Sequence, residues 1–242
     1  MYKSSSDLSL LTRVITISGN SLTLNTEYTF LSSSITYFDY IEKLSNSSAL
    51  VVYQYYTGST YELRVAVLTI SGTTVSIGSY LTISTNTSYW SAYALKFDTD
   101  KVILVYRTGG TYFTFCVATI SGTSVTKGTA LADIYYGSTT DFWGYVVSNT
   151  NVVIILSSYL YMLQIKTTDV LITSRKDVNF GYKPGATISV DYTTDEVFFI
   201  LFQSATSGNY KIYGYLMDFV LQAKGIAKQS GTAGQQIKVM TL

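Results

Sequence analysis

Apolar residues along this chain come in short runs, not at helical spacing. Stretches such as "VVIIL" at 152–156 and "VFFILF" at 197–202 are bounded by polar residues, and none is long enough to cross a bilayer as a helix. "SNSS", "TGST", "DTD" and "SGT" separate the runs, and each is a turn composition. The pattern predicts strands joined by tight turns from end to end. One unit reads "YFDYIEKL" (37–44), "ALVVYQYY" (49–56), "YELRVAVLTI" (61–70) and "TVSIGSYLTI" (74–83). The next reads "WSAYALKF" (90–97), "KVILVYR" (101–107), "TYFTFCVATI" (111–120) and "SVTKGTAL" (124–131). Two further units keep the order with drifted sequence: "FWGYVVS", "VVIILSS", "YLYMLQI", "VLITSRK", and then "ATISVDY", "EVFFILFQS", "YKIYGYLM", "FVLQAKG".

One phrase recurs inside this pattern. "ITISGNSLTLN" (15–25), "LTISGTTVSIG" (68–78) and "ATISGTSVTKG" (118–128) place Thr16, Thr69 and Thr119 at successive separations of 53 and 50 residues. A period near fifty with strand content is the signature of a four-stranded β-propeller blade. The second strand of each unit is a nearly unbroken apolar run, as expected where a strand is buried on both faces between stacked blades. A β-sandwich, the alternative, predicts cleaner alternation and no such period. The expected fold is therefore all-β: a single β-propeller domain over 1–242, of about five blades. Its repeat units run roughly 31–83, 84–131, 132–180 and 181–229, and a shared closing blade combines 9–30 with 234–242. Pairing the C-terminal strand with the N-terminal ones would close the ring and hide both sheet edges. "MYKSS" is then a remnant of the closing blade.

Composition agrees with strands. Aromatic residues are 15% of the 242, with 23 Tyr, and charged residues only 13%, so residues that favour helices are scarce. A formal net charge of +1 offers no basic field, which argues against nucleic acid as a partner and against attraction to an anionic membrane. Cys116 is the single cysteine, so no internal disulfide forms. The opening "MYKSSSDLSLLTRV" has no charged leader followed by an apolar stretch, so export by the ordinary secretory route is not expected.

Topology assigns roles to the turns. The repeated "ISGT" joins strands three and four, where Gly19, Gly72 and Gly122 supply the positive φ that a tight hairpin needs. At the opposite end lie the crossings between units: "TFLSSSITYFDY", "TISTNTSYWSAY", "ADIYYGSTTDFWGY" and "KDVNFGYKPGAT". Rigid amphipathic rings mixed with small hydrogen-bonding groups make adaptable binding surfaces, and the same mixture suits a sugar ring. The candidate ligand contacts are Tyr37, Phe38, Tyr89, Trp90, Tyr135, Tyr136, Phe142 and Trp143. The other role open to these rings is to plug the inner ends of the blades.

Catalytic chemistry is hard to assemble. With no histidine, the usual base for a serine or cysteine nucleophile and the commonest zinc ligand are both missing. Cys116 lies inside a predicted strand, the setting of an inert thiol. Asp98 and Asp100 in "DTDK", and Asp195 and Glu196 in "TTDEV", sit where carboxylates serve turns. A carboxylate pair for glycoside cleavage is best sought at Asp133 and Asp141. No phosphate loop occurs, because "SGTAGQQ" lacks the Gly-Lys-Ser/Thr ending. The expectation is a protein that is not an enzyme and carries no cofactor or metal.

The C-terminal "KGIAKQSGTAGQQIKVMTL" (224–242) resembles the closing segment of bacteriophage tail-fibre and related virion proteins. "ATISGTSVT" is similar to repeat segments of phage tail and receptor-binding proteins. No fibrous shaft, heptad run or collagen-like repeat accompanies these segments. The resemblance implies a virion structural component, assembled in a bacterial cytoplasm, whose partners are other virion proteins and host-surface carbohydrate or receptor, with oligomers open to it. A purely architectural baseplate or decoration protein and a glycan-cleaving propeller are the alternatives.

Overall fold

The computed structural model describes residues 2–3, 9–31, 35–86, 92–107, 112–135, 142–156 and 159–177, together with the strand backbones 189–194, 197–206, 209–218, 223–226 and 240–241. All regular elements described are strands, and every pairing is antiparallel. The first sheet holds β1 (Tyr2–Lys3), β2 (Leu10–Ser18) and β3 (Ser21–Leu31). The second holds β4 (Ile35–Lys43), β5 (Ser48–Tyr56), β6 (Tyr61–Ser71), β7 (Thr74–Ile77) and β8 (Leu81–Asn86), with both β7 and β8 paired to β6. The third orders β9 (Ala92–Lys96), β10 (Lys101–Arg107), β11 (Tyr112–Ser121) and β12 (Ser124–Tyr135). The fourth orders β13 (Phe142–Ser148), β14 (Asn151–Leu156), β15 (Tyr159–Lys166) and β16 (Asp169–Asp177). The fifth runs β17 (Ser189–Thr194), β18 (Val197–Thr206), β19 (Asn209–Asp218), β20 (Ala223–Ile226) and β21 (Met240–Thr241). No sheet closes into a barrel.

The chain divides into two compact units, one of residues 1–135, 148–150 and 165–171, the other of 136–147, 151–164 and 172–242. In the first, the alternation of β5 and β6 explains the stacking. Val51, Tyr53, Ala66 and Leu68 point to one face, where they meet Leu10 and Phe30 of the first sheet. Leu50, Val52, Leu63, Val65 and Val67 point to the other, against Ala92, Ala94, Val102, Leu104 and Cys116 of the third. The middle sheet is thus buried on both sides, which is why its second strand reads as a continuous apolar run. Each fully buried Val or Leu among them contributes about 1.5–3 kcal/mol relative to exposure. Polar ties reinforce the contact of the second sheet with the third: Glu42 accepts the Lys96 backbone N–H at 2.8 Å, Lys96 Nζ donates to Leu44 O, and Lys127 Nζ donates to Ile83 O at 2.7 Å.

The repeated phrase is punctuation, as expected. Gly19, Gly72 and Gly122 take φ of 57°, 59° and 59° at the hairpin tips. A second glycine in the phrase has a different task. A Cβ on Gly78 would fall 2.7 Å from Thr123 Cβ, and one on Gly128 would fall 2.7 Å from Thr168 Cβ. Each glycine is a socket that takes the hairpin tip of the following sheet. The sequence suggests one strand over 74–83, but the structure breaks it. Gly78 N–H donates to Val67 O at 2.9 Å, the chain leaves the ladder, and β8 rejoins β6 at Val65.

In the second unit, β14 and β15 form the apolar centre of the fourth sheet, with Val152, Ile154, Leu160 and Tyr161 buried. Arg175 lies over the Tyr159 ring at 4.1 Å. Of the segment expected to close a ring, 234–239 and 242 lie outside the described residues. β21 pairs with β20, while the first sheet takes its third strand from Tyr2–Lys3. The β20–β21 pair joins segments close in the chain, which keeps its loop-closure cost small.

Candidate functional site

The ends of the second and third sheets that carry the turns from second to third strand present tyrosines. Tyr56 and Tyr61 flank the turn at 57–60 with ring centroids 4.9 Å apart, and Tyr56 Oη donates to Gly58 O at 2.7 Å. The turn is tied internally, since Thr57 Oγ1 accepts the Thr60 N–H at 3.1 Å. Tyr37 on β4, opposite Gln54, is exposed, as are Tyr56 and Tyr112 at the start of β11. This end therefore offers ring faces and hydroxyls held on strands, a rigid setting for stacking against a flat ligand.

Of the sequence candidates, Tyr37 lies on this surface. Phe38 is partly buried and packs against the core between the first two sheets. Tyr135 ends β12 opposite Tyr112, and Phe142 and Trp143 open β13; only their backbones are described. Tyr89, Trp90, Tyr136 and Asp141 lie outside the described residues, as do Asp195, Glu196 and the Asp133 side chain. Asp98 and Asp100 serve their turn: Asp98 accepts the Thr99 N–H at 2.7 Å, which lowers its pKa, and both carboxylates pair with Lys101. Cys116 is buried, and burial pushes its thiol up to about 11. At neutral pH it stays protonated, and a protonated thiol is a poor nucleophile.

Two constellations escape the sequence reading. Asp39 sits at an irregularity of β4 between Phe38 and Tyr40, and Gln54 Nε2 donates to both its oxygens at 3.1 and 3.0 Å. Burial raises this carboxyl to about 6, against a smaller opposing effect of the Gln54 hydrogen bond. Glu42, three residues on, is also raised by burial and is committed to the Lys96 amide, so it does not complete a catalytic pair. The second constellation is Arg64, which lies between the rings of Tyr55 (3.6 Å) and Tyr80 (4.0 Å) and binds Glu62 at 2.6 Å. Thr82 donates to the same Glu62 oxygen. The visible signal was the "ELR" inside an apolar strand, since residues two apart share a strand face. Among the described residues no group of three or more His, Cys, Asp or Glu could hold a metal.

Fold and site define an all-β protein of antiparallel sheets, the first three stacked face to face, with exposed tyrosines at one end of the second and third. No protein-family model matches the chain, and no curated protein matches it.

Proposed function

We propose that this chain is a non-enzymatic structural protein of a phage particle, a tail-fibre or tail-tip module that binds host-surface glycan or receptor through its tyrosine-rich end. Its blades stack in the manner of a β-propeller. The observation that carries the binding reading is the set of exposed rings Tyr37, Tyr56 and Tyr112 on strand ends, beside a hydroxyl-lined turn at 57–60. Burial of the second sheet on both faces and the period near fifty support the stacked-blade architecture. The phage-like C-terminal segment supports the virion setting.

A glycan array and a host-cell binding assay with the purified chain test this. The wild type is expected to bind, and Tyr37→Ala, Tyr56→Ala, Trp90→Ala and Trp143→Ala each to weaken binding about tenfold where the ring is a contact. Failure of the wild type to bind any host-surface preparation overturns the receptor reading. Release of sugar from host polysaccharide overturns the non-enzymatic one.

A further inference from the structure

The hairpin of β2 and β3 carries an uncovered apolar ladder. Ile15 faces Leu24 and Ile17 faces Leu22 across the strands, and these four side chains are 55%, 63%, 72% and 69% exposed. Large aliphatic residues gathered on one sheet face signal an interaction surface, whereas scattered ones do not. The repeat shows what such a row is built for. Its counterparts in the second sheet are Leu68, Ile70, Val75 and Ile77, of which Leu68, Val75 and Ile77 pack against the first sheet. In the third they are Ala118, Ile120, Val125 and Lys127, of which the three apolar ones pack against the second. In both the second and the third sheet this row receives the apolar face of another antiparallel sheet. In the first sheet the same row is exposed.

We propose that the β2–β3 face is an interface with a second copy of this chain, hairpin against hairpin about a two-fold axis. Charge selects that occupant. The only charged residues of the hairpin are Arg13 and Glu27, which border the ladder and bridge each other at 2.9 Å. One positive and one negative group beside an apolar row form a self-complementary border, because a two-fold brings Arg13 of each copy towards Glu27 of the other. A strongly charged partner finds no matching field there.

Sedimentation equilibrium of the full chain over a wide concentration range tests the proposal, with thermal melting at low concentration alongside. The wild type is expected to dimerise. Ile17→Lys and Leu22→Lys should each raise the dissociation constant about thirtyfold or more while leaving the low-concentration melting temperature unchanged. Arg13→Glu should weaken the dimer, and Glu27→Arg added to it should restore much of the loss. A wild type that stays monomeric overturns the proposal. If Ile17→Lys then lowers the melting temperature, the ladder is covered within the chain; if it does not, the ladder is solvated. Neither result depends on whether the tyrosine-rich end binds a glycan.

Discussion

Thr167 holds φ of 58° at the hairpin tip of the fourth sheet, where Gly72 and Gly122 stand in the second and third. A β-branched residue in the left-handed region carries a steric cost of about 1–2 kcal/mol that glycine escapes. Thr167→Gly is therefore expected to stabilise the chain by about 1 kcal/mol, read as a higher midpoint in urea; an unchanged or lower midpoint contradicts it. The socket glycines run the other way. Ala at position 78 or 128 drives a methyl into the backbone of the following hairpin, and overpacking of this kind costs typically about 1–3 kcal/mol. Urea midpoints of Gly78→Ala and Gly128→Ala should both fall, whereas Gly58→Ala, with open space around its Cβ, should lose only the about 1 kcal/mol tied to positive φ.

Among the described elements, β4 carries a carboxyl whose protonation couples to folding. Asp39 holds its proton to about pH 6 in the folded state, against an ordinary 3.8. A raised acid favours the folded state fully below its unfolded value, and that favour is lost as pH rises through the folded one. Stability should thus fall by about 2–3 kcal/mol between about pH 4 and 7 from this group alone. Asp39→Asn should flatten that segment and leave the variant more stable than wild type near pH 7. Identical urea profiles for the two proteins would refute this. Nothing in "YFDY" announces the effect, because the irregularity between Phe38 and Tyr40 decides where the carboxyl points. Strands β10 and β13 were legible to the residue, since Asp98–Asp100 and Asn149–Thr150 set sharp turns beside dense apolar runs. The break at Gly78 was not, because a neighbouring sheet imposes it through Thr123.

At the scale of the molecule, each sheet is built from consecutive strands, and in the first unit the second sheet packs between the sheet the chain builds before it and the one it builds next. That is why a period read from three short phrases conveys so much of the architecture of the first unit. β21 found its partner in β20, an outcome no repeat encodes. The aromatic end was legible as composition, yet Tyr37 and Phe38, adjacent in sequence, part company across the strand: one is exposed and one packs inward. Only the folded sheet separates an exposed ring from a packed one. The lone thiol has a practical consequence. Because Cys116 is sealed in the core and stays protonated at neutral pH, a thiol-directed dye would pass it by. A cysteine placed at Tyr56 or Ile17 would then be the sole site of labelling, so probes can be set on the tyrosine-rich end or the aliphatic ladder of the otherwise native chain.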